Sequence, residues 1–172
     1  VQTCALPISR AIASYCGNVI QQSIPSDERL PTGLAPVIHQ PVANESQRAA
    51  RVKQIVESLL RDEYRPSQIA VLSPWSGEGS TGSRIGVVQG VPVAGGPSDL
   101  TRWANDTCVW SGTVKAFKGM EADCVIVTDV PSTYSKGFTE SDLYVAASRA
   151  KTRLEFVPST AAAAGLLNQF LQ

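Results

Sequence analysis

Two stretches of this chain pair an apolar run with a compact polar cluster. TVKAFKGMEADCVIVTDV (Thr113–Val130) sets Thr113, Lys115, Lys118, Gly119 and Glu121 ahead of a run of Val and Ile, and LYVAASRAKTRLEFV (Leu143–Val157) sets Ser148 and Arg149 between two apolar segments. An apolar run bounded by polar residues reads as a buried strand, so each cluster is expected at the edge of a buried sheet, where side chains can react. Two other segments have the outline of phosphate chemistry. Gly77 and Gly82 have GxxxxG spacing, but Ser83 and Arg84 stand where a phosphate-binding loop needs Lys and then Ser or Thr. Without that lysine, Trp75–Gly86 reads as a flexible surface loop rather than a nucleotide cradle. Val125–Asp129 is an apolar strand ending in an acid, the outline of a Walker B carboxylate; with no lysine loop beside it, a strand with a solvated end is the favoured reading.

The remaining reactive side chains suggest little. Cys4, Cys16, Cys108 and Cys124 include no CxxC pair, and His39 is the only histidine. These thiols read as buried or incidental rather than as a zinc site or disulfide, and no metal site is expected. The sequon at Asn105, Asp106 and Thr107 is idle in a chain without a secretory signal.

Composition limits the partners. With 172 residues, 43% of them hydrophobic, the chain can bury one good core and is expected to be one domain rather than two. Its 15 basic and 15 acidic residues give a formal charge of zero, so any nucleic-acid contact must be local rather than drawn by a global field. No apolar run approaches the roughly 20 residues that span a bilayer, and the first residues do not resemble a signal peptide. The expectation is a soluble, cytoplasmic protein with no membrane partner.

The elements that position the two clusters follow from periodicity. Ser9–Gln22 places Ile12, Tyr15, Cys16, Val19 and Ile20 on one helical face, and Ile24–Pro36 is a linker leading to a short strand at Val37–His39. Glu45–Arg61 is an amphipathic helix capped by Asn44, followed by a buried strand at Ile69–Ser73. Gly86–Asp106 carries no decisive pattern. CVWSGTV then forms a strand delivering Thr113, KAFKGME a compact turn or short helix, and ADCVIVTDV a second strand. Glu140–Ala150 is expected as a helix with Leu143, Tyr144, Ala147 and Ala150 inward, Arg153–Val157 as a closing strand and Ala161–Leu171 as a last helix. Strands alternating with helices give an α/β fold, a parallel sheet with helices on both faces.

Residues 1–8, VQTCALPI, are the translation of a widely used sequencing-adapter string. They are expected to be an artefact, with natural sequence upstream of Ser9 missing; the alternative is a native N-terminus that happens to match.

TVKAFKGMEADCVIV resembles motif V, and YVAASRAKTRL motif VI, of superfamily 1 DNA helicases of the UvrD/Rep type. PSQIAVLSP resembles the strand preceding that pair, and SRAIASYCGNVI the helix after motif IV. The resemblance spans nearly everything from Ser9 onward and is weakest over 75–106. It implies that residues 9–172 form the second RecA-like motor domain, of P-loop NTPase fold but without a phosphate-binding loop of its own, with motif V at 113–130 and motif VI at 143–157. In such helicases ATP with Mg2+ lies between two RecA-like domains, and the first supplies the lysine loop and the magnesium carboxylate. The implied catalytic residue is Arg149, whose guanidinium would neutralise charge on the transferred phosphoryl; a structural salt bridge is the alternative. Gly119, Glu121 and Arg149 become the ATP-binding set, with Glu121 on the ribose and Gly119 allowing close backbone approach. Lys118 and Ser148 are further possible members, Lys118 otherwise being a solvated lysine. Thr113 and Lys115 would meet the backbone of single-stranded DNA, where relatives commonly carry a histidine at the position of Lys115; the alternative is an ordinary exposed lysine.

Two departures from the pattern matter. The motif IV arginine would fall at Pro7, so Arg10 is not its equivalent, and the separation of Ser9 from Thr113 leaves no room for the large domain that many relatives insert there. The expected partners are single-stranded DNA and the missing N-terminal RecA-like domain. The expected function is the C-terminal motor half of an ATP-dependent DNA helicase, inactive alone. The alternatives are an ATPase that translocates on or remodels RNA or protein–nucleic-acid complexes without unwinding, and a non-catalytic nucleic-acid-binding module.

Overall fold

A computed structural model describes residues 8–24 and 29–171. The adapter-like segment up to Pro7, with Cys4 in it, and the linker positions 25–28 lie outside the described residues. Along the chain the elements are α1 (Arg10–Val19), β1 (Val37–Ile38), α2 (Glu45–Arg61), β2 (Ile69–Ser73), β3 (Val87–Val88), β4 (Val91–Ala94), α3 (Asp99–Ala104), β5 (Val109–Thr113), β6 (Ala122–Thr128), α4 (Glu140–Ala147), β7 (Ala150–Val157) and α5 (Ala161–Asn168). Seven strands make one sheet in the order β1-β7-β6-β2-β5-β4-β3, parallel at every pairing except β3 with β4.

Strand alternation sends successive side chains to opposite faces, and here both faces are buried. Ala70 and Leu72 of β2, Val125 and Val127 of β6, and Leu154 and Phe156 of β7 join a core with α1, α4 and α5. Ile69, Val71, Cys124 and Ile126 join a second core with Val52, Val56 and Leu59 of α2. The helices therefore lie on both sides, as expected. Each fully buried large apolar side chain contributes about 2 kcal/mol, so the central strands β2 and β6 anchor the fold.

Local chemistry sets the helix boundaries. Asn44 Oδ1 accepts from the Gln47 amide at 3.0 Å, capping α2 where the sequence placed its start. Thr139 and Asp142 form a reciprocal capping box on α4. The described part of the linker turns back on α1: the amides of Arg10 and Ala11 donate to the carbonyls of Pro31 and Thr32.

Several expectations need correction, and one open stretch gains a structure. The helix predicted to run to Ala150 ends at Ala147, and β7 begins at Ala150 rather than Arg153, because Ala122 and Ala150 pair across β6 and β7. Its inward residues are Leu143, Ala146 and Ala147, with Tyr144 only half-buried. The stretch without a decisive pattern is a β3–β4 hairpin followed by α3, the hairpin turning at Gln89 and Gly90, both with positive φ. Finally, Trp75–Gly86 is not a free loop and Asp129 is not a solvated strand end. Asp129 is buried and accepts from Ser73 Oγ at 2.9 Å, from the Thr81 amide at 2.8 Å, from the Thr81 hydroxyl and from Arg48 Nε at 2.9 Å. Arg48, also buried, reaches back to the carbonyls of Val42 and Ala43. One carboxylate thus ties the 75–84 segment to α2 and to the ends of two strands.

Candidate functional site

The expected site residues divide between the two ends of the sheet. β5, β2 and β6 are parallel, and Thr113 ends β5 beside Ser73 whereas Ala122 begins β6 two residues below the level of Ile69. Residues 114–121 therefore cross from the C-terminal edge of the sheet to its N-terminal edge, a drop of roughly 20 Å at about 3.3 Å per residue.

At the N-terminal edge the structure brings parts of the 113–130 and 143–157 stretches together. The Ala122 amide donates to the Arg149 carbonyl at 3.0 Å, which fixes the two strand starts against each other. Arg149 stands between the end of α4 and the start of β7. Its Nε donates to the Val145 carbonyl at 3.2 Å, and its terminal nitrogens donate to the Met120 carbonyl at 3.4 Å and to Ser148 Oγ at 3.0 Å. All three acceptors are neutral. Among the described residues no carboxylate forms an ion pair with Arg149, so the structural salt bridge considered as its alternative is not what holds it. Ser148 is buried and donates to the Val145 carbonyl, so it serves the guanidinium as a fixed acceptor. The buried Cys16 thiol of α1 lies within electrostatic reach. Burial pushes it up to about 12, against the pull of the Arg149 charge.

Glu121 lies one residue ahead of β6 and is half-buried, with Lys151 Nζ at 3.3 Å from its carboxylate. Sequence reasoning missed Lys151, although its place two residues beyond Arg149 at a strand start puts it on the same edge. Gly119 has φ +86, a left-handed conformation that disfavours any side chain, and a Cβ built there would meet nothing within 4 Å. The space above this backbone is open to an approaching ligand. Lys118 is exposed beside it.

At the C-terminal edge Thr113 Oγ1 accepts from the Ala116 amide at 3.0 Å and the Val114 amide donates to the Ser73 carbonyl, so the start of the crossing segment is held to β2. Lys115 projects from it, exposed. The buried Asp129–Arg48 pair sits behind this edge and was also missed as a pair. The structure thus joins Gly119, Glu121, Ser148 and Arg149 in one neighbourhood and sets Thr113 and Lys115 apart from it. Among the described residues no group of three His, Cys, Asp or Glu could hold a metal ion, and no helix is long and apolar enough to cross a membrane.

Comparison with known proteins points to one family. Residues 109–157, the stretch holding both polar clusters, match the model of the UvrD-like helicase C-terminal domain. Among solved structures, the chain shares its fold with one described as the C-terminal domain of a possible DNA helicase from Lactobacillus plantarum WCFS1. The TM-score is 0.62, with 16% identity, over 98% of this chain and 97% of that one. At that identity the likeness is one of fold. No functionally curated protein matches the chain.

Proposed function

We propose that a chain with this fold and a UvrD-like helicase C-terminal match over 109–157 is the C-terminal motor domain of an ATP-dependent DNA helicase. Its N-terminal edge completes an ATP site whose lysine loop and magnesium carboxylate stand on a separate RecA-like domain, and its C-terminal edge meets the backbone of single-stranded DNA. Arg149 carries the reading. A guanidinium oriented by three neutral oxygens keeps its charge for an anion that arrives from outside, as a γ-phosphate would. Charge developing on the transferred phosphoryl would then be met by a planar fork already in place, without reorganisation at the moment of reaction.

The neighbours support the same reading. Glu121 offers a carboxylate to a ribose hydroxyl and Lys151, 3.3 Å away, holds that carboxylate in place, while Gly119 lets the backbone come close. Lys118 stands where a second cation could approach the nucleotide. Thr113 and Lys115, at the far end of the crossing segment, suit phosphate contacts that supply affinity without sequence choice. ATP and strand would then meet opposite ends of one eight-residue connection.

The test belongs in the intact parent protein, where both halves of the site are present. Arg149→Ala is expected to cut saturated ATP turnover roughly a thousandfold or more, with melting temperature and DNA affinity retained. Arg149→Lys should rescue little, because a point charge on a flexible stem cannot reproduce the fork. A stable Arg149→Ala protein with normal turnover would overturn the assignment.

A further inference from the structure

The C-terminal edge of the sheet holds a feature that the helicase reading does not use. Segment 75–83, beyond β2, and segment 95–100, leading into α3, stand apart and enclose a cavity of about 390 Å³. Its apolar walls are Trp75, Val93, Pro97, Leu100 and Trp110. Hydroxyls of Ser76, Ser83, Ser111 and Thr113 also line it, and no charged side chain does.

Both indoles are held in place. Trp110 is buried, packs on Phe117 with ring centroids 5.0 Å apart, and donates from Nε1 toward the Gly96 carbonyl. Trp75 remains 40% exposed at the mouth, yet it is not loose. Its amide donates to Ser73 Oγ at 3.1 Å, and Ser73 in turn donates to Asp129. Its ring lies so close to Gly137 that a Cβ added there would stand 2.9 Å from two ring carbons. An exposed aromatic ring fixed from behind is a stacking platform.

The lining selects the occupant. A phosphate would find no cation inside, and an aliphatic side chain would leave the hydroxyls of Ser76 and Ser111 without partners. A flat, neutral ring with polar edges satisfies both the indole faces and the hydroxyls, and the volume lies in the range of small-molecule sites. Thr113 belongs both to this lining and to the proposed strand contact, so the cavity opens where the strand would pass. We infer that the cavity receives a nucleobase of that strand, stacked on Trp75, with its edge facing the serine hydroxyls. The inference rests on the reading of Thr113 and Lys115 as strand contacts. Most of its walls, from Trp75 to Leu100, lie outside the 109–157 match.

The experiment uses the purified chain and labelled single strands of about a dozen nucleotides, as DNA and as RNA, each with an abasic counterpart carrying the same phosphates. Fluorescence anisotropy is expected to give about tenfold or more tighter binding to the base-bearing strand, with quenching of tryptophan emission. Trp75→Ala should bind both strands as weakly as the unaltered chain binds the abasic one, at an unchanged melting temperature, and Trp75→Phe should recover part of the difference. Lys115→Ala should weaken both strands alike and flatten the salt dependence. Equal affinity of the unaltered chain for base-bearing and abasic strands, with Trp75→Ala neutral, would overturn the nucleobase cavity and leave the phosphate contact standing. Absence of binding to every strand would overturn both.

Discussion

Replacement of Asp129 by alanine tests how far a single buried carboxylate organises the C-terminal edge of the sheet. Asp129 and Arg48 are 6% and 7% exposed, and the carboxylate accepts from Arg48, Ser73 and Thr81, twice from the last. Its removal leaves a buried guanidinium without its counter-charge, a change that costs about 3–5 kcal/mol. Asp129 also sits at φ +61, where alanine adds about 1 kcal/mol of backbone strain. For a chain of this size roughly 2–4 °C is lost per kcal/mol, so Asp129→Ala should melt about 8–24 °C lower by circular dichroism. Asp129→Asn, which keeps the shape and tolerates the left-handed backbone, should lose about half as much. Arg48→Met combined with Asp129→Asn should fall short of the sum of the two single losses by about 1 kcal/mol or more, because each single change strands the other charge. The detached 75–84 segment should also become a preferred site of proteolysis around Gly77–Gly79. An Asp129→Ala protein melting within about 2 °C of the unaltered chain, or two single losses that simply add, would refute the reasoning. A metal-binding acid at an open strand end would give that near-neutral result.

Three further outcomes are expected. The chain alone should show no DNA-stimulated ATP turnover above a no-protein control, since GxxxxG at 77–82 lacks its lysine; turnover free of contaminating ATPase would end the half-site reading. Burial pushes the Cys16 and Cys124 thiols up to about 12, so both should resist iodoacetamide at pH 8 in the folded chain and react once urea unfolds it; rapid labelling of the native protein would count against that core. Burial pushes the Glu155 carboxyl up, but the hydrogen bond from His39 and the charge and hydrogen bond of Arg153 outweigh it and hold the group below its ordinary 4.5. A lowered folded-state value stabilises the fold above that pH and the benefit disappears as acid protonates the folded carboxylate. Glu155→Gln should therefore be less stable at neutral pH, with the gap to the unaltered chain closing below about pH 4 in urea titrations; a gap independent of pH would contradict the pairing.

Where local chemistry decides the structure, the sequence could be read directly. Asn44 caps the helix predicted from the spacing of Val52, Ile55, Val56 and Leu59, and Ile69–Ser73 is the buried strand that its unbroken apolar run demanded. Gly119 and Glu121 come to the edge that holds Ser148 and Arg149 because the strands beside them, β6 and β7, pair, whereas Thr113 and Lys115 stand at the opposite edge, a split that only the crossing of 114–121 reveals. Where a distant partner decides, local reading failed. Serines and glycines made 75–86 look mobile, and the group that fixes it, Asp129, is 48 residues beyond Thr81. Arg149 was placed on a helix because Leu143, Tyr144, Ala147 and Ala150 fall near helical spacing, whereas the β6–β7 pairing claims the chain from Ala150. The β3–β4 hairpin had a local cue that was passed over: valines flank a two-residue turn ending in Gly90, the spacing of a tight hairpin with glutamine in the place usually held by asparagine. Lys151 needed the strand register, and the stacking role of Trp75 needed the cavity.

Both lateral margins of the sheet are strands of two residues, β1 on one side and β3 on the other. Val37 and Val87, one on each margin, are 41% and 53% exposed, so neither edge is guarded by charge at its outermost position. Brevity takes the place of that guard. An extended chain arriving from another molecule could form only a bond or two before the template ran out, too few to offset the loss of freedom on pairing. The apolar strands β2 and β6 lie in the middle of the sheet with neighbours on both sides. Pairing between two copies through β1 or β3 therefore has little backbone to build on.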